Sequence, residues 1–186
     1  MLIQIFSLIL QFAVGLVAGT CLLRTYLHWQ RIPMSSRSGN PLAPFVFAVT
    51  NWIVLPVRRF VPAFGRLDTG SLLAAYAVLL AKYALLWLLA GATAPTWVLL
   101  TQSGFELLNL VLSSLMWLVI IYAVMTWVKS GSDAVYFLAL MIEPLLRPVR
   151  RVLPQMGGVD LSPIGLLLLL QIIEIVLHHL QAQVLF

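Results

Sequence analysis

The chain has 186 residues, of which 62% are hydrophobic and only 9% charged, with a formal net charge of +5. Soluble domains carry roughly 25% charged residues, so an ordinary soluble fold is excluded, and the length leaves room for one compact membrane domain and no separate soluble one. The basic residues stand beside apolar stretches, which makes anionic lipid headgroups the expected partner and nucleic acid an unexpected one.

Taken in order, the first apolar stretch covers roughly 2–23, about the 20 residues needed to cross a bilayer. Its first charged residue is Arg24, so it lacks the basic start of a secretory signal, and Thr20 stands where a lipoprotein cleavage site wants Gly or Ala. We expect this span to be retained, with Gly15, Ala18 and Gly19 as a small-residue face for helix contact. Cys21 has no second cysteine to pair with and reads as a small core residue.

A basic segment with Arg31, Arg37, Arg58, Arg59 and Arg66 follows, containing the Ser/Gly/Pro-rich stretch 33–41, which reads as a solvated loop. Within it, 44–55 is apolar but too short to span. Spans are expected at 71–91 and 107–128, and the connection 92–106 has no Lys or Arg. A second short apolar stretch, 134–146, leads to Arg147, Arg150 and Arg151, and a last span covers 163–185. The two short stretches suggest re-entrant or interfacial helices, limited by Pro56 in one and by Pro144 and Pro148 in the other. Ten of the eleven basic residues fall on one side of the four spans. By the positive-inside rule that side is cytoplasmic, with both termini and 92–106 outside.

One motif occurs twice. Pro56-Val57-Arg58-Arg59-Phe60-Val61-Pro62, followed by Asp68, returns 92 residues later as Pro148-Val149-Arg150-Arg151-Val152-Leu153-Pro154, followed by Asp160. The match implies a duplicated unit. The expected fold is therefore an all-α membrane protein with four transmembrane helices in two parallel repeats, 1–92 and 93–186. Each repeat carries a short interfacial or re-entrant helix before its P-V-R-R-x-x-P corner. Repeats of two spans each enter the membrane in the same sense, which implies a pseudo-two-fold along its normal.

The Arg58/Arg59 and Arg150/Arg151 pairs, with Arg147, are candidates for binding lipid phosphate or a protein partner, since guanidinium matches phosphate in a bidentate way. They are equally placed to pair with Asp68 and Asp160, which suit the positive ends of the helices that follow. Topology and anchoring alone are the plainer reading. The retained bracket of Pro56, Pro62, Pro148 and Pro154 favours a specific site.

Four polar positions fall inside spans. Lys82 and Glu174 are related by the same shift of 92 and lie near mid-membrane. An ion pair across the pseudo-axis, an ion or proton path, and snorkelling are the readings. Gln11 and Asn109, related by a shift of 98, suit hydrogen bonding between helices. Asn51 and Glu143 also correspond, just before the corners, and suit local capping.

Glu174 and His178 share a helical face, but two ligands are too few for a metal, and His28 and His178 lie toward opposite sides and cannot both ligate one haem. No nucleotide loop, nucleophile elbow or acid/base pair is present, so neither an enzyme nor a cofactor is expected.

The twin motifs, and especially the run from Glu143-Pro144 through Gly157-Gly158-Val159-Asp160-Leu161-Ser162-Pro163, resemble the YggT family of bacterial and plastid membrane proteins. The resemblance covers nearly the whole chain. The first copy departs from it, with Asn51-Trp52 in place of an acidic or polar residue followed by Pro, and with a longer linker. The resemblance implies a multi-pass inner-membrane protein linked to osmotic-stress tolerance and potassium homeostasis, with relatives associated with cell division or plastid cytochrome assembly. The leading expectation is a scaffold or assembly protein. The alternative is a small channel or transporter component with Lys82, Glu174, Gln11 and Asn109 along a polar path; four spans alone make a poor pore, which a homo-oligomer could remedy.

Overall fold

The structure is a computed structural model that describes residues 2–34, 40, 42–61, 67–93, 95–127, 133–152 and 160–185. Among the described residues there are six helices: α1 (Leu2–Trp29), α2 (Ala43–Phe60), α3 (Thr69–Leu89), α4 (Thr96–Trp127), α5 (Asp133–Val152) and α6 (Ser162–Leu185). Four of them, α1, α3, α4 and α6, are long and apolar enough to cross a bilayer. The 21 residues of α3 measure about 32 Å at 1.5 Å per residue, close to the hydrocarbon thickness. The helical state follows from the solvent, because lipid offers no hydrogen bonds and each backbone group must find its partner within the helix.

Two expectations change. The third span begins at Thr96 and not at 107, so most of 92–106 is helix. The turn before it is compact: Gly91 and Ala92 take φ of 83° and 57°, and the Ala92 N–H returns to the Trp87 carbonyl. Glycine occupies the first of these left-handed positions at little cost. The prolines, moreover, do not end the short helices. α2 runs through Pro56 to Phe60, and α5 runs through Pro144 and Pro148 to Val152. A proline inside a helix removes one N–H and frees the carbonyl four residues back, here those of Trp52, Leu140 and Pro144. All three of these residues, and the three prolines, are exposed. Pro62 and Pro154 lie outside the described residues.

The chain forms two compact units, residues 1–110 and 111–186, dividing within α4. In the first, α1 packs on α3 and α2, and α2 packs on α3. Ala18 and Cys21 of α1 and Ala74 and Ala75 of α3 are fully buried, so small side chains carry this packing. The expected Gly15/Gly19 contact is not made, since a Cβ at either glycine would meet nothing within 4 Å. In the second unit, Val119 and Tyr122 of α4, Ile142 and Leu146 of α5, and Leu166 and Leu170 of α6 form the core.

These packing differences predict opposite outcomes for two enlargements. Ala75→Leu should destabilise the first unit by about 1–3 kcal/mol through overpacking, whereas Gly19→Ala should be neutral or slightly stabilising. Thermal unfolding in detergent micelles measures both; equal effects would contradict the assigned contact.

Candidate functional site

The first corner is built on the carboxylate of Asp68. Asp68 is the N-cap of α3: it accepts from the Ser71 N–H at 3.2 Å through Oδ1 and from the Ser71 hydroxyl at 2.6 Å through Oδ2. The last turn of α2 delivers Arg58, whose Nε donates to Oδ1 at 3.3 Å while Nη2 donates to Oδ2, a two-pronged pairing. Gly70 makes the approach possible, because a Cβ there would stand 2.6 Å from Arg58 Cγ.

A third helix joins through Arg24 of α1. Its Nη1 donates to Thr50 Oγ1 at 2.8 Å and to Asn51 Oδ1 at 2.9 Å, and its Nε lies 3.8 Å from Asp68 Oδ2. Arg24 is 3% exposed and Asp68 is fully buried. The Phe47 ring lies 5.0 Å from the Arg24 guanidinium carbon and covers its face. Burial alone would raise the Asp68 carboxyl, but hydrogen bonds from Arg58 and Ser71 outweigh it and hold the group below the usual carboxylate range.

The second corner repeats the device in a wetter setting. Arg150 donates to Asp160 Oδ2 from Nε at 3.0 Å and Nη2 at 2.8 Å, and Asp160 Oδ1 accepts from the Ser162 N–H at 2.9 Å at the start of α6. The remaining prong, Nη1, reaches Glu143 Oε2 at 2.8 Å. Glu143 also meets Arg147 one turn on at 3.6 Å. Positions 143, 147 and 150 share a helical face. Burial opposes ionisation of Asp160, but bonds from Ser162 and Arg150 hold it low; for Arg150, Asp160, Glu143 and the Tyr122 hydroxyl outweigh burial and raise it.

The arginine pairs are thus split. Neighbours on a helix point about 100° apart, so both cannot face one carboxylate. Arg58 and Arg150 turn to the aspartates, while Arg59 and Arg151 are exposed. Arg147 is also exposed, its side chain 73% accessible.

Inside the spans, Lys82 takes a different partner from the one sequence symmetry offered. Its Nζ donates to both oxygens of Glu106 on α4 and lies 4.4 Å from the Tyr83 ring centre. Glu174 is half-buried on α6 with no ion-pair partner among the described residues. Gln11 is exposed, and the buried Asn109 Oδ1 lacks a hydrogen-bond partner, so the expected hydrogen bonding between helices is not made by either among the described residues. No group of three His, Cys, Asp or Glu side chains placed to hold a metal occurs among the described residues.

Sequence reasoning did not single out Arg24, Thr50, Ser71 or Glu106 as site residues. Arg24 had a signal: a cation within the helix of a span almost always has a partner. Ser71 follows Asp68 at the spacing of a helix cap. Glu106 precedes the apolar run of the third span, so the sequence carries no sign that it is helical.

The family model described as CCB3/YggT matches residues 3–89 and 101–181. The chain is 35% identical over 170 residues to the uncharacterized protein YggT of Escherichia coli K12, covering 90% of this chain and 86% of that one. It is 31% identical over 135 residues to an uncharacterized protein of the proC 3′ region of Vibrio alginolyticus, covering 71% and 73%. An uncharacterized protein of Haemophilus influenzae is 27% identical over 158 residues, covering 84% and 82%. No solved structure matches the chain.

Two measurements check the corners. Asp68→Asn leaves two guanidiniums against a neutral amide and should cost about 3 kcal/mol, while Asp160→Asn, at a partly exposed pair, should cost about 1 kcal/mol. Chemical unfolding in mixed micelles reads both, and a larger loss at Asp160 would overturn the ranking. Acid supplies the second check. A carboxylate lowered by folding contributes stability above its unfolded value of 3.8 and loses it as pH falls through the folded value. The melting temperature should therefore fall below about pH 4, and by less in Asp68→Asn.

Proposed function

The chain belongs to the CCB3/YggT family, and from that premise we propose that it is a non-enzymatic, multi-pass membrane scaffold or assembly protein that engages anionic lipid headgroups through Arg59, Arg151 and Arg147. The observation that carries the reading is the division within each arginine pair. One guanidinium is committed to an aspartate, and its neighbour is exposed at the end of a helix that does not itself span. A committed guanidinium holds the corner shape, and a free one can fork onto a phosphate.

The helices bearing these arginines suit an interface. On α2, Phe45, Trp52, Leu55 and Phe60 are exposed; on α5, Tyr136, Leu140 and Val152 are exposed. Aromatic and aliphatic groups beside arginine fit the level where acyl chains meet headgroups. The positive-inside rule supports corners on the cytoplasmic side with both termini outside, and the family resemblance supports a bacterial inner membrane. On family resemblance we place the scaffold in osmotic-stress tolerance and potassium homeostasis. The Lys82–Glu106 pair supports this reading over ion conduction, because the intramembrane cation is already neutralised.

Purified protein in neutral detergent, with phosphatidylglycerol or phosphatidylcholine added, tests the reading. Ligand binding to the folded state alone raises the melting temperature, by about 2–4 °C per kcal/mol for a chain of this size. Phosphatidylglycerol should raise it and phosphatidylcholine should not. Arg59→Gln/Arg151→Gln should lose that rise while keeping the lipid-free melting temperature. A full rise in the double variant would defeat the headgroup assignment, and photocrosslinks from 59 and 151 to one protein would replace it with a protein partner.

A further inference from the structure

We infer that α6 is a self-association surface, on which a second copy of this chain packs its own α6 in parallel along a stripe formed by Gln171, Glu174, His178 and Gln181. The spacing of three, four and three residues puts these four on one side of the helix, within an arc of about 80°. It is also the a/d spacing of helices that cross at a shallow left-handed angle. Gln171 and His178 are exposed, Glu174 and Gln181 are half-buried, and none has a hydrogen-bond or ion-pair partner among the described residues. The intrachain packing of α6 uses its first turns, where Leu166 and Leu170 enter the core. Beyond them, Ile172, Ile175, Val176 and Leu180 are exposed.

The cost of that arrangement in a lone chain identifies the missing partner. Measured from Ser162, Gln171 lies about 14 Å along the helix, Glu174 about 18 Å and His178 about 24 Å, all within a hydrocarbon layer about 30 Å thick. Polar groups at that depth face protein or water and seldom lipid tails. The stripe also carries its own complement. The Glu174 carboxylate accepts, the Gln171 and Gln181 amides both donate and accept, and the His178 imidazole donates. Copies of one chain insert with the same orientation, so two α6 helices meet in parallel with equal depths facing. The two Glu174 carboxylates then meet at one depth, flanked on both copies by donors to them, the Gln171 amide one turn before and the His178 imidazole one turn after. Hydrogen bonds of this kind hold membrane helices together. The surface is separate from the arginine corners, and it stands whether or not those corners bind headgroups.

Single cysteines placed one at a time from 171 to 181, in full-length Cys21→Ala protein within native membrane vesicles, test the assignment under mild oxidation. Intermolecular disulfides should peak at 171, 174, 178 and 181 and be at least about fivefold weaker at 172, 175, 176 and 179. Because each stripe cysteine deletes a polar group, a second measurement uses fluorescence transfer between donor- and acceptor-tagged copies. Gln171→Leu/Glu174→Leu/His178→Leu should lower the paired fraction by about fivefold or more, and Glu174→Gln should retain it. Crosslinks at no position, a peak on the opposite face, or unchanged energy transfer in the triple variant would each overturn the inference.

Discussion

A single carboxylate with no access to solvent holds three helices together. Asp68 caps α3, receives the forked guanidinium of Arg58 from α2, and lies against Arg24 from α1. A bare carboxylate in that position would cost several kcal/mol, and so would the buried Arg24 alone. Those two are tolerable only because they face each other, and Arg58, about a third exposed, completes the pairing. The corner therefore behaves as an all-or-none element, and the short helix α2 gains a fixed position that its own limited apolar area would not provide.

The second corner meets the same constraint with different chemistry. The shift of 92 carries Asn51 onto Glu143, and the shift of 98 that carries Trp29 onto Trp127 carries Arg24 onto Tyr122. Where the first corner has a cation and an amide, the second has a phenol and a carboxylate. Two arginines face one acid in the first, and Arg150 faces Asp160 and Glu143 in the second, with Arg147 restoring the balance from outside. Formal charge has moved across the interface between a span and its short helix, while the Arg–Asp pair is unchanged. The buried surplus cation explains why removal of Asp68 is expected to cost more than removal of Asp160.

Much of this was legible in the sequence. Apolar runs give the four spans directly, because hydrocarbon imposes both their length and their helical state. The twin motifs picked out Arg58, Asp68, Arg150 and Asp160. What the sequence concealed has physical causes. Adjacent arginines read as a pair until the helix turns one inward and the other outward. Prolines read as stops, yet α2 and α5 continue past them because exposed carbonyls tolerate a missing donor. Repeat symmetry matches Lys82 to Glu174, whereas its carboxylate comes from Glu106, on a helix that begins before the apolar run of the third span. Glycines at 15 and 19, which no neighbour approaches, resemble a contact motif that Ala18 and Cys21 fulfil instead.

The prolines of the short helices have one more consequence. Trp52, Leu140 and Pro144 each keep a carbonyl that no amide within its own helix satisfies in the usual way, and all three are on the outer surface. Such oxygens are stable beside water or lipid glycerol and unstable among acyl tails. They act as a float line. However greasy their outer faces, those oxygens favour the lipid–water boundary over the bilayer interior for α2 and α5, the level that suits the arginine near the end of each helix.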